Sequence, residues 1–109
     1  MTIRFREINR DTFNAIRTGR KKIETRAGTV KYKAVKVGDI ITLVCGKSSF
    51  EKKIKKAEHF RTIGAMLKKH KFSDIDPKAK TEKEMRTMYL SYPNYSEKIK
   101  KHGLVAWTL

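Results

Sequence analysis

Two short runs limit what this chain can become. Ile40-Ile41-Thr42-Leu43-Val44-Cys45 and Leu104-Val105-Ala106-Trp107-Thr108-Leu109 are apolar at nearly every position. Each is too short for a helix of typical length and rich in β-branched or aromatic residues, so each reads as a strand covered on both faces. Elsewhere the chain is strongly basic, with 27 Lys and Arg against 11 Asp and Glu and a formal charge of +16. A chain of 109 residues makes one domain with one modest core. The expected class is therefore a single small α+β domain, with these two runs as buried strands among short helices.

Local signals fill in the order of elements. Thr2 to Arg6 alternates Ile3 and Phe5 with polar residues, as a half-buried strand does. Asn9 is placed to cap a helix, with Ile8 and Phe13 as a hydrophobic staple, and Gly19 supplies its left-handed stop. Val37-Gly38-Asp39 forms a turn into the first apolar run. Phe50 to Arg61 reads as one long curved strand, although Lys52 and Lys56 fall on its apolar parity and predict a bend. Thr62 caps a helix ending at Lys68-Lys69-His70-Lys71. Phe72 to Pro77 is a loop pinned by Phe72 and Ile75, and Thr81-Glu82-Lys83-Glu84 is a capping box opening a further helix. A last short helix covers Asn94 to His102, and Gly103 releases the chain into the closing strand.

The charge imbalance repels itself, so an anionic partner is expected, nucleic acid first. No secretory signal or membrane-spanning run is present in the sequence. A lone cysteine, Cys45, forms no internal disulfide and reads as a small buried hydrophobe. A soluble, cytoplasmic, monomeric protein is expected, with no membrane partner. His59, His70 and His102 lack partners at ligand spacing, so no metal or other cofactor is expected.

The chemistry concentrates in Gly19-Arg20-Lys21-Lys22-Ile23-Glu24-Thr25-Arg26. Glu24 is the one carboxylate between Asp11 and Asp39, a span holding eight Lys and Arg residues. If Ile23 enters the core of a strand, alternation sends Lys22, Glu24 and Arg26 to the other face. Such a group can cap an edge strand. It can equally bind an anion and a base edge, with Glu24 accepting from an amino group such as that of cytosine. Lys21, among Arg20, Lys22 and Arg26, meets the electrostatic condition for a lowered pKa. Tyr89, Tyr92 and Tyr95 lie near Arg86, Lys98, Lys100 and Lys101. Tyr89 is expected in the core, and Tyr92 and Tyr95 at a rim where bases could stack.

The Gly19–Arg26 segment, Val37-Gly38-Asp39-Ile40-Ile41 and the ending Gly103-Leu104-Val105-Ala106-Trp107-Thr108-Leu109 together resemble the ASCH domain family. These are small barrels related to the PUA RNA-binding fold, so the resemblance implies an α+β fold: a small PUA-like mixed β-barrel of about five to six strands, with three to four short helices packed at its ends. The resemblance covers residues 1–109 as a single domain and implies binding of RNA or a modified nucleoside. The nucleic-acid-binding residues it implies are Arg20, Lys21, Lys22, Glu24 and Arg26, joined by Tyr92 and Tyr95 from the aromatic reading. Some bacterial members hydrolyse N4-acetylcytidine, and at least one is a ribonuclease. In the amidohydrolase type, catalysis uses a lysine at the position of Lys21, a threonine at that of Glu24 and a downstream glutamate. The resemblance thus implies Lys21 and Glu24 as catalytic residues, with Glu82 or Glu84 as the third. This chain departs from that pattern in having glutamate where the threonine stands. A third reading, a protein-interaction module, predicts an exposed apolar patch.

Overall fold

A computed structural model covers all 109 residues. Six strands run in chain order as β1 (Thr2–Phe5), β2 (Ile23–Ala27), β3 (Ile40–Cys45), β4 (Ser48–Lys53), β5 (Lys56–Phe60) and β6 (Leu104–Thr108). Six helices accompany them: α1 (Arg10–Arg17), α2 (Val30–Lys33), α3 (Ile63–Leu67), α4 (Phe72–Ile75), α5 (Glu82–Ser91) and α6 (Tyr95–His102). The fold class is α+β. Four of these helices match the expected ones, and the other two, α2 and α4, are single turns.

The strands do not close into a barrel. They form two three-stranded sheets, ordered β1-β3-β4 and β2-β6-β5. β1 and β3 are parallel, while every other pairing is antiparallel. The expected long strand over Phe50–Arg61 breaks between β4 and β5, which lie in different sheets. Ile54 sits at the corner, where its side chain plugs the core and its backbone bonds to Gly38 and Asp39. The parity conflict at Lys52 and Lys56 has this physical cause: a strand that changes sheets must bend.

One core fills the space between the sheets: Ile3, Ile41, Leu43 and Cys45 from the first meet Val105 and Trp107 from the second, with Phe13 and Ile16 of α1 at one end. A second core lies on the far face of the second sheet, where Leu104, Ala106 and Ile23 pack under Met66, Ile75, Met85 and Tyr89. β6 is therefore buried on both faces, as its composition predicts. β3 is not: Ile41, Leu43 and Cys45 are buried, but Ile40 is 54% exposed. The helices cover the second sheet and leave the outer face of the first only half covered.

Caps follow the local signals unevenly. Thr62 and Thr81 accept hydrogen bonds from the backbone N–H of Ala65 and Glu84, whereas Glu84 closes its box on the N–H of Lys80. Asn9 makes no side-chain cap, and Ile8 is exposed, so the staple does not form. A 3-10 turn over Glu7–Asn9 leads into α1 instead. No helix is long and apolar enough to cross a membrane.

Candidate functional site: a charged cleft at the open seam

Both β1 and β2 are edge strands, and the gap between them is where a barrel would have closed. A cleft of about 600 Å³ occupies this seam. Arg4 and Phe5 of β1, with Arg6 just beyond it, form one wall, Glu24, Thr25 and Arg26 of β2 the floor, and Met88, Tyr89, Tyr92 and Tyr95 the aromatic wall.

The β2 residues come there by alternation. Ile23 turns into the helix-side core, while Glu24 pairs across the strands with Trp107 and Arg26 with Val105. Glu24 and Arg26 thus point into the gap between the sheets. Lys22 does not join them. It precedes β2 and is exposed, and its backbone carbonyl accepts from Leu109. Lys21 joins instead, folding beneath the strand so that Nζ donates to the carbonyls of Ile23 (2.8 Å) and Ile75.

This charge cluster also repairs a free sheet edge. Lys22 and Gly28 bond toward Leu109 and Gly103, so alternation turns the backbone groups of Ile23, Thr25 and Ala27 outward. Lys21 caps the Ile23 carbonyl. Glu24 Oε1 accepts from the Thr25 N–H at 2.9 Å, and Arg26 Nη1 donates to the Thr25 carbonyl at 3.0 Å. An exposed β edge invites pairing with another chain, and three side chains occupy this one.

Two functional groups of the cluster remain unspent. Arg26 Nη1 also reaches Glu24 Oε1 at 3.1 Å, and Lys21 Nζ lies 4.0 Å from the same oxygen. Glu24 Oε2 accepts no hydrogen bond from the protein, yet no buried side-chain oxygen lacks a partner; Oε2 therefore opens onto the cleft. Arg26 Nε and Nη2 are likewise free of protein acceptors. The floor thus offers an acceptor and donors that the protein itself does not use.

Burial alone would raise the Glu24 carboxyl, which is only 4% exposed, but the adjacent Lys21 and Arg26 outweigh it and hold its pKa below the ordinary value. Burial pushes the Lys21 ammonium pKa down, and Glu24 and Asp76 restore part of the loss. Glu24 raises the Arg26 pKa further. Desolvation raises the phenols of Tyr89 and Tyr95.

The aromatic wall is assembled by a tight reversal. Pro93 and Asn94, the latter at φ +60°, turn α5 into α6 so that both ends face the seam. Tyr89 is buried and stacks with Tyr95 (ring centroids 5.8 Å apart), and its hydroxyl meets that of Thr25. Tyr92 meets Tyr95 edge-on at 5.5 Å and is 47% exposed. Tyr92 and Tyr95 therefore stand at the rim, as the sequence suggests. Arg20 also lines the cleft.

The downstream acids lie elsewhere than expected. Glu82 pairs with Arg86, Glu84 bonds to Lys80, and neither lines the cleft. Besides Glu24, the acids that do are Asp76, just past α4, and Asp11, which is ion-paired to Lys78 across the mouth. Sequence reading missed Arg4, Arg6, Asp11, Asp76 and Lys78, whose convergence depends on how β1, α1 and α4 pack. No group of three or more His, Cys, Asp or Glu side chains is placed to hold a metal ion.

No protein-family model matches the chain, and no curated protein matches it either. Solved structures do. The fold is similar to the crystal structure of hypothetical protein PH0355, with a TM-score of 0.77 and 28% identity over 99% of this chain and 96% of that one. It is also similar to the solution structure of protein PF0455 from Pyrococcus furiosus, with a TM-score of 0.76 and 27% identity over 99% and 94% of the two chains.

Proposed function

We infer that this protein is an RNA-associated domain of the ASCH type, whose seam cleft takes a nucleobase from single-stranded RNA or a modified nucleoside. One observation carries the reading: Glu24 and Arg26, joined through Oε1 and Nη1 at 3.1 Å, line the cleft together with an aromatic wall, and Glu24 Oε2 and the other guanidinium nitrogens have no protein partner. A cytosine edge presents an amino donor next to ring and carbonyl acceptors, the complement of that pair. Tyr92 and Tyr95 offer a stacking surface, which single-stranded recognition uses. Arg4, Arg6 and Arg20 at the cleft suit the phosphate of the same nucleotide.

The test is binding of cytidine and of single-stranded RNA to the wild type, Arg26→Gln and Tyr92→Ala. Both substitutions are expected to weaken both ligands. The logarithm of RNA affinity is expected to fall with the logarithm of salt at about −0.7 per phosphate engaged. Unchanged cytidine affinity in both variants would overturn the assignment of the cleft.

A second reading, hydrolysis of an N4-acylated cytidine, is favoured by Lys21. Burial lowers its pKa beside Glu24 and Asp76, as a base or nucleophile requires. In that reading Lys21 is the base or nucleophile, Glu24 assists and Arg26 holds the acyl oxygen. Against it, Nζ is committed to two carbonyls and the Glu24 carboxylate, the environment of an ammonium. Incubation with N4-acetylcytidine decides it: cytidine release that Lys21→Ala abolishes, in a protein still folded by circular dichroism, would replace the binding reading with catalysis.

A further inference from the structure

A second concave site lies at the other end of α6. Lys33 from α2, His59 from β5 and Arg61 just past it, and Lys100, Lys101 and His102 from the last turn of α6 surround a depression of about 400 Å³. No carboxylate lines it, and Lys33, Arg61, Lys100 and Lys101 take part in no ion pair of the protein. The C-terminal dipole of α6 accounts for cations on its own last turn. It gives no reason for Lys33 and Arg61, which arrive from other elements and only add repulsion.

The site is built on fixed backbone. Gly103 holds φ +69°, and a Cβ there would fall 2.5 Å from the Phe60 carbonyl oxygen; a Cβ on Gly28 would fall 2.6 Å from that of His102. The Gly28 N–H donates to the Gly103 carbonyl at 2.9 Å. Two glycines thus let the end of α6 press onto β5 and the exit of β2, and this contact brings the cations of three segments together. Like charge concentrated in a concave site attracts an anion and is relieved by one.

α6 links this depression to the cleft. Tyr95 at its first turn lines the cleft, and Lys100–His102 at its last turn line the depression. Eight helical residues span about 12 Å, a distance that a short stretch of single-stranded backbone can cover. We propose that the Lys33–Arg61–Lys100–Lys101 depression binds the phosphate backbone of the RNA strand whose base occupies the seam cleft. This rests on the binding reading above, but it assigns a separate site with its own role. The cleft selects a base, and the depression anchors the phosphates flanking it.

The experiment compares the wild type with a Lys33→Gln, Arg61→Gln, Lys100→Gln, Lys101→Gln variant. A control variant removes equal charge at Lys36, Lys47, Lys53 and Lys83, which are exposed and line neither site. The probes are cytidine and a single-stranded RNA of about 12 nucleotides, titrated across a salt series. In the depression variant, RNA affinity is expected to drop about tenfold or more, and the log–log salt slope to become shallower by about 0.7 for each phosphate released. Cytidine affinity is expected to stay as in the wild type. An equal drop in the control variant would reduce the effect to net charge and overturn the site. An unchanged RNA slope in the depression variant would also overturn it. A drop in the depression variant, with RNA and cytidine both indifferent to Arg26→Gln and Tyr92→Ala, would keep the phosphate site and discard the cleft reading.

Discussion

Two groups of cations in this molecule are made of the same residue types, Lys and Arg, and live under opposite conditions. Lys21 and Arg26 are enclosed around Glu24 and cap the edge of β2. Lys33, Arg61, Lys100 and Lys101 stand in solvent with no carboxylate among them. In the enclosed group, each charge is the condition for burying the others, so its energetics are short-range and nearly blind to salt. In the open group the charges oppose one another and gain only from an external anion, so their effects are long-range and screened. A basic composition alone does not separate the two kinds.

The largest expected effect breaks the enclosed group. Glu24→Ala leaves Lys21 and Arg26 without their counter-charge and the Thr25 N–H without its acceptor. It is expected to cost about 3–5 kcal/mol in urea unfolding. A cost below about 1 kcal/mol would mean that the cluster is solvated and that the contrast is false.

Next in size is ligand stacking. Tyr92→Ala removes a half-exposed ring that packs edge-on against Tyr95, and a loss of about 1–3 kcal/mol in RNA affinity is expected. The salt slope should be unchanged, which distinguishes this substitution from those in the depression. A shallower slope for Tyr92→Ala would merge the two sites into one.

The acid limb of the stability curve sharpens the comparison. Glu24 has a folded-state pKa held below its unfolded value, so the folded state binds fewer protons in that window. Its stabilisation is fully present above the unfolded carboxylate value near about 4.3 and is lost as pH falls through the lower folded value. Glu24→Gln should therefore flatten the dependence of unfolding free energy on pH below about 4. The slope should be less steep by up to about 1.4 kcal/mol per pH unit. An unaltered acid slope would show that Glu24 does not titrate as a buried partner.

The smallest effect belongs to the open group. Lys100→Ala is expected to change stability by no more than about 0.5 kcal/mol, measured in the same urea titration. Destabilisation comparable to that of Glu24→Ala would give Lys100 a structural role that its exposure does not suggest.

Much of the fold is legible in the chain because its signals are local. Glycine stops at Gly19 and Gly103, hydroxyl caps at Thr62 and Thr81, and the doubly buried β6 all follow from short-range steric and hydrogen-bonding rules. The sequence determined by itself that Glu24 and Arg26 share a face opposite Ile23, because alternation along a strand is a property of the backbone. It also determined the basic charge and the buried thiol of Cys45.

Only the tertiary structure decided that β3 is covered on one face while β6 is covered on two, since both runs are equally apolar and the difference lies in where the helices pack. It decided that β4 and β5 part at Ile54 and that the sheets leave a seam between β1 and β2. It also decided that Lys21 rather than Lys22 meets Glu24, and that Asp76 rather than Glu82 or Glu84 reaches the cleft. Each of these depends on residues distant in sequence meeting in space. Such meetings are set by the joint packing of two cores, and no period or spacing along the chain encodes them.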